Sequence, residues 1–265
     1  YGQVPDNQLR TLNHIGLFSK PLKKSPAEYD AIPDAYDVDG KLDARARAYL
    51  HVNCSHCHRL HAGSAVLAYM HADLTLAATR MIDAKPTQGT FGVRDARIIA
   101  PGDPLRSILF LRVSKLGRGR MPHIGSEVVD RFGADLIHDW INDLPRPATP
   151  IASLSEAQKH TRIEAHTNVA ELVNAGDNIP AGLLARSLAS TPTALLLQKQ
   201  LDSPRSRFTT AARQQIIDTA VAHDDITTRD LFERFIPEER RIQRLGRVIR
   251  PAALLAIKGN AEDGQ

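Results

Sequence analysis

Cys54-Ser55-His56-Cys57-His58 contains the only two cysteines among the 265 residues of this chain. Two thiols three positions apart can each add to one vinyl group of a haem, and the histidine that follows directly can then lie beneath the iron as a ligand. Cys-x-x-Cys-His is the spacing of covalent c-type haem attachment. We therefore predict one covalently bound haem c, held by Cys54, Cys57 and His58.

Two other interpretations of the cysteine pair remain open. A Cys-x-x-Cys pair also forms the redox dithiol of thioredoxin-like folds, but such a pair lies in a βαβ unit, and this one follows a helical stretch. A structural zinc site is the stronger alternative, because two cysteines and two histidines can complete one. Five histidines lie in the neighbourhood: His51, His56, His58, His61 and His71. Zinc, however, does not explain a histidine directly after the second cysteine.

Composition limits the class of protein. Hydrophobic residues make up 42% of the chain, which is enough for a packed core, and no stretch approaches the roughly 18 apolar residues of a transmembrane helix. A net charge of +4 spread along the chain gives little indication of nucleic-acid binding. Haem c is attached outside the cytoplasm and no signal peptide is visible at Tyr1, so we expect a mature form, or an excised piece, of a periplasmic protein.

An all-α haem module is predicted over residues 41–147. Its first helix begins near Leu42 and ends at the cysteines. Pro101-Gly102-Asp103-Pro104 predicts a turn that opens an apolar helix, and residues 72–100 predict a loop insertion with a short strand at 96–99. The last helix carries an apolar face at helical spacing and ends before Pro145; that face consists of Ile137, Trp140, Ile141 and Leu144.

The distal ligand of the haem iron is predicted to be Met121. This methionine lies in a glycine-rich loop, residues 117–123, just before the last helix of the module, and Pro122 stiffens the loop. His123 is the alternative ligand, and bis-histidine ligation would lower the reduction potential relative to histidine–methionine ligation. Five arginines are candidates for pairing with the haem propionates: Arg97, Arg106, Arg112, Arg118 and Arg120.

The chain resembles the haem modules of large multidomain bacterial c-type cytochromes over residues 10–145. The resemblance implies a class I-like cytochrome c domain with a loop insertion, preceded by a leader strap over residues 1–40. It also implies electron transfer outside the cytoplasm, with His58 and Met121 as axial ligands and a redox partner or fused dehydrogenase domain as partner. The resemblance is found in the segments 13–18, 46–50, 53–58, 101–104 with Ser107, and 120–125.

Residues 151–265 predict a helical domain without redox chemistry of its own. They contain no cysteine and no glycine-rich phosphate loop. Predicted helices run from Ser153 to Asn174, Thr193 to Leu201, Thr209 to Ala222, and through 230–235, and helices of this size suggest a HEAT-like stack. The segment therefore serves to position the haem module.

The end of the chain carries a second part of the same resemblance. The segment 229–238 is similar to one that leads, in those cytochromes, into another haem module, and Gly259–Gly264 is similar to the lead-in. We therefore expect a further haem domain beyond Gln265. The basic run that includes Arg240 and Arg250 is interpreted as a solvated helix face, with a docking patch for an acidic redox partner as the alternative.

Three functions are compatible with these features. The first is electron transfer through one haem c within a larger redox protein. The second is a peroxidase-like haem enzyme, which requires an open or displaceable sixth position that Met121 argues against. The third is a zinc-stabilised interaction module. No acid–base pair or nucleophile–histidine set is evident, so we do not expect this chain to be an enzyme by itself.

Overall fold

Nine α-helices and no β-strand are found in the part of the chain that the structure describes, a computed structural model covering residues 6–62, 66–145 and 156–242. The all-α prediction is therefore confirmed. In chain order the helices are α1 (Gln8–His14), α2 (Leu42–Cys54), α3 (Ile108–Ser114), α4 (Arg131–Asp143), α5 (Glu156–Asn174), α6 (Ala181–Leu188), α7 (Thr191–Asp202), α8 (Thr210–Val221) and α9 (Ile226–Phe232). Within these ranges, no helix has the length and apolar character that crossing a membrane requires.

The crossing of α2 and α4 organises the first half of the fold. An ideal Cβ built on Gly133 of α4 would lie 2.2 Å from the ring of Tyr49 in α2, so only a glycine lets the helices approach this closely. Farther along the crossing, the indole nitrogen of Trp140 donates to Asp43 Oδ1 at 2.8 Å. Ile137 and Ile141 are completely buried. The apolar face predicted for the last helix is confirmed.

Local chemistry accounts for both ends of α4. The carboxylate of Asp130 accepts the amide of Gly133 at 3.0 Å and so caps the start of α4. That helix ends at Asp143, two residues before Pro145, which cannot continue a helix. The leader segment contacts the start of α4, because Tyr36 stacks on Phe132 with ring centroids 4.7 Å apart.

The predicted insertion, residues 72–100, contains no strand, so the prediction of a strand at residues 96–99 is wrong. Only two isolated bridges form there, Ile82 with Ile99 and Arg97 with Ser107. The backbone is left-handed at Asp83 (φ 54°) and Asp95 (φ 50°), which interrupts the extended chain on both sides. A ladder cannot extend past Ser107 either, because the chain enters α3 there.

The second half consists of helices α5 to α9. In it α5 packs against α6 and α7, and α9 packs against α7 and α8. The first three predicted helices are confirmed within the described residues, with α7 beginning earlier than expected because Pro192 fits its first turn. The fourth, predicted through 230–235, is confirmed only to Phe232, because residues 233–235 form a 3-10 helix. Sequence reasoning missed α6, whose buried face is formed by Leu183, Leu184 and Leu188.

One continuous hydrophobic cluster includes residues from both halves, from Ala46 to Ile236. Polar contacts also join them: Arg162 donates to the carbonyl of Gly102 at 3.0 Å, and Lys199 pairs with Asp135. The division into a haem module at 41–147 and a helical domain from 151 stays a prediction. Gly259–Gly264 and the basic run beyond residue 242 lie outside the described residues.

Gly133→Ala should destabilise the protein by about 1–3 kcal/mol, because the added methyl group overlaps the ring of Tyr49. Urea unfolding followed by circular dichroism measures the change. Gly182→Ala is the matched control, since a Cβ on Gly182 in α6 meets no atom within 4 Å. That variant should be as stable as wild type or more stable by up to about 1 kcal/mol. Equal stability of Gly133→Ala and wild type would contradict the close approach of α2 and α4.

Candidate functional site

The C-terminal end of α2 presents the two cysteines and the histidine. Cys54 is the last residue of α2, and its carbonyl accepts the amides of Cys57 at 3.1 Å and His58 at 2.9 Å. The motif therefore continues directly from the helix as a tight turn. Cys54 is buried and Cys57 is exposed, so the two sulfur atoms lie in different surroundings at the edge of the core.

The imidazole of His58 is held in the form that binds a metal. Burial lowers the pKa of His58 below its usual value, and a hydrogen bond from the ring to the backbone carbonyl of Ala68 acts in the opposite direction. A neutral imidazole that donates one N–H to a carbonyl keeps a lone pair on its other nitrogen. Metal-binding histidines in proteins commonly carry such a partner, which fixes the tautomer and the ring orientation. The amide of Met70 also donates to the carbonyl of His58 at 2.9 Å.

The loop with Met121 is attached to the end of α3. The amide of Met121 donates to the carbonyl of Arg112 at 3.0 Å, and the guanidinium of Arg112 donates to the carbonyl of Gly119 at 2.8 Å. Arg112 and His123 lie near enough to His58 to add to the lowering of its pKa that burial causes. The structure thus brings the loop that carries both candidate distal ligands, Met121 and His123, to the side of the molecule where His58 lies.

Exposed apolar side chains lie close in sequence to the motif or to Met121. Val52 precedes Cys54 in the last turn of α2, Leu60 follows His58, Leu67 adjoins the carbonyl partner of His58, and Ile124 follows Met121. Their exposed fractions are 65%, 65%, 63% and 89%. The porphyrin of a haem has two large apolar faces, which such side chains can cover. Together with two thiols, an imidazole and a thioether, they are residue types that a haem site uses.

Two of the five arginines proposed for the haem propionates form ion pairs with aspartates of the chain. Arg97 pairs with Asp83 at 2.9 Å and Arg106 pairs with Asp103 at 2.9 Å. Their engagement in these ion pairs indicates that they stabilise the insertion and the turn before α3. The sequence could have indicated the ion pair of Arg106, because Arg106 lies three residues after Asp103. It could not have indicated the ion pair of Arg97, whose partner is more distant in the chain.

A metal cluster of the zinc type is not found among the residues described. Within residues 6–62, 66–145 and 156–242, no three His, Cys, Asp or Glu side chains are placed to hold a metal ion together. His51 and His71 contact each other edge to face, with ring centroids 5.2 Å apart, and His51 Nδ1 accepts the amide of Ala72 at 3.2 Å. These two histidines therefore join α2 to the segment that follows the motif.

No protein-family model, curated protein or solved structure matches the chain. The chemistry of the site therefore rests on its own residues. Sequence reasoning identified the cysteines, His58 and the Met121 loop. It missed Ala68, which acts through a backbone carbonyl and so carries no residue-type signal.

The two thiols of the haem-free chain should react at very different rates. Burial raises the pKa of the Cys54 thiol to about 12, whereas Cys57 is exposed. Because the thiolate is the reacting species, Cys54 in a Cys57→Ala variant should react with a thiol reagent at pH 8 about a hundredfold more slowly than Cys57 in Cys54→Ala. Both rates should converge in denaturant. Equal rates in the folded variants would contradict the burial of Cys54.

Proposed function

We propose that this chain carries electrons outside the cytoplasm through one covalently bound haem c, as part of a larger redox protein. The observation that carries the proposal is the motif at the end of α2, where the cysteines lie in one tight turn and a backbone carbonyl already orients His58. Cys54 and Cys57 would form the two thioether bonds. His58 would be the proximal ligand of the iron, and Met121 the distal one.

The bound haem would supply one-electron redox chemistry, and the chain would determine where and how readily that chemistry occurs. The hydrogen bond from His58 to Ala68 holds the imidazole in one orientation. The apolar side chains near the motif would keep water from the cofactor. A thioether at the distal position favours a higher potential than a second histidine, and it also closes the position that a peroxidase-like enzyme needs open.

The proposal also includes a more specific fold for each half of the chain. The crossing of α2 and α4, with the motif at the end of the first and the Met121 loop before the second, supports a class I-like cytochrome c domain with an insertion. The packing of α5 on α6 and α7, and of α9 on α7 and α8, supports a HEAT-like helical domain. A redox partner protein or a fused dehydrogenase domain would exchange electrons with the haem in the periplasm, and a further haem domain would follow Gln265.

Haem should remain on the polypeptide after acid–acetone extraction when the chain is produced with a c-type haem maturation system. A thioether bond is covalent, so denaturation does not release the cofactor. The double variant Cys54→Ala/Cys57→Ala should lose covalent haem completely, and each single variant should keep at most one thioether. The pyridine haemochrome spectrum counts the thioethers and the extracted fraction measures release.

The visible spectrum of the wild-type chain separates the alternatives. Sharp α and β bands on reduction are expected for a low-spin electron carrier. A high-spin spectrum would instead favour the haem enzyme. A colourless protein that binds zinc, or haem that extracts freely, would contradict the proposal.

Met121→Ala should abolish the sulfur-to-iron charge-transfer band of the ferric protein, because alanine provides no ligand atom. His123→Ala is the matched control: it changes the other candidate ligand in the same loop and should keep the band. Optical spectra of both variants test the assignment. The reverse result, in which only His123→Ala changes the ligand spectrum, would make His123 the distal ligand.

A further inference from the structure

The loop that carries Met121 has a second attachment, and it comes from the helical half. Lys115 and Asp230 form an ion pair between Nζ and Oδ2 at 3.0 Å, and each side chain is only 1% exposed. Asp230 belongs to α9, whereas Lys115 follows α3 directly. Two charges buried this completely need each other, since either one alone would remain unpaired in the interior.

The same residues fix the backbone at the start of the loop. The amide of Leu116 donates to the backbone carbonyl of Asp230 at 3.0 Å. The ammonium of Lys115 also donates to the carbonyl of Arg118 at 2.7 Å, so residues 115–118 fold around a buried positive charge. Asp230 thus binds the loop through its carboxylate and through its main chain.

Gly117 lies directly against this contact. An ideal Cβ at that position would be 2.3 Å from Asp230 Oδ2, and the backbone has a φ of +70°, which favours glycine. Four residues later, Met121 is hydrogen-bonded to the end of α3. The loop is therefore fixed at its beginning by α9 and at Met121 by α3, and the chain between them has little freedom.

We infer that Asp230 is a positioning residue for the distal ligand, holding the Met121 loop in place from the helical half of the chain. The inference rests on the proposed function, in which Met121 binds the haem iron. It assigns to the second half a part in ligand placement, whereas the sequence suggested only that this half positions the haem module. Asp230 does not touch the cofactor; it acts through Lys115 and through the backbone of Leu116.

Asp230→Asn in the full chain removes the negative charge while keeping the side-chain shape. Hydrogen exchange of the Leu116 and Met121 amides should become faster by about tenfold or more, because the loop opens locally more often. In the haem-loaded protein, the sulfur-to-iron charge-transfer band should disappear at a lower temperature than in wild type. The global unfolding temperature is measured in parallel.

Asp135→Asn is the matched control, because it removes another ion pair between the halves, that of Asp135 in α4 with Lys199 in α7. It should leave exchange at Met121 and the charge-transfer band as in wild type. If it changes them as much as Asp230→Asn does, the effect is general destabilisation and the inference is overturned.

Gly117→Ala tests the contact between the loop and Asp230 without removing a charge. If Asp230→Asn does not fold, this variant alone tests the inference. Its methyl group would displace the Asp230 carboxylate, so faster exchange at Met121 is expected again. Wild-type exchange and a wild-type ligand spectrum in the folded variants would overturn the inference. Failure of the wild-type chain to bind haem would overturn the proposed function alone, because exchange at Leu116 and Met121 still reports whether Asp230 holds the loop.

Discussion

The close approach of α2 and α4 at Gly133 is the constraint on which the arrangement of the site depends. A glycine there lets the ring of Tyr49 lie against the backbone of α4, and the bond from Trp140 to Asp43 fixes the other part of the crossing. Because α2 ends at Cys54, the position of this helix is also the position of the motif. The core that buries Ile137 and Ile141 therefore places the cysteines and His58 as well.

The interior of the protein also contains polar contacts whose loss costs free energy, because a buried charge without its partner is unfavourable. Lys115 and Asp230 are both buried, and breaking such a pair by removing one partner typically costs about 3–5 kcal/mol. A pair of this kind adds little net stability, because each charge must first be removed from water, but it forms only in this arrangement of Lys115 and Asp230. The near contact of Gly117 with the carboxylate makes that arrangement more specific still.

The proposed haem site combines groups that differ in how they are held. His58 has a carbonyl partner and lies half-buried after a helix, so its orientation is set by the first half of the chain. Met121 lies in a loop that takes its support from α3 and from α9. A thioether is a weak ligand, and a weak ligand benefits most from a loop with few alternative conformations. The two axial ligands are therefore expected to respond differently to changes in the helical half.

The sequence by itself led to the proposed chemistry and to most of the helices. The spacing of Cys54, Cys57 and His58 is local, and so is the apolar periodicity that predicted α2 and α4. Whatever depended on distant residues was decided by the tertiary structure. The sequence at 96–99 predicts a strand, yet these residues form only single bridges, because left-handed backbone at Asp83 and Asp95 interrupts the extended chain. Lys115 and Asp230 lie far apart in the sequence, and nothing in the sequence distinguishes them from other charged residues. Only packing reveals them as partners, because burial of a charge depends on every element that surrounds it.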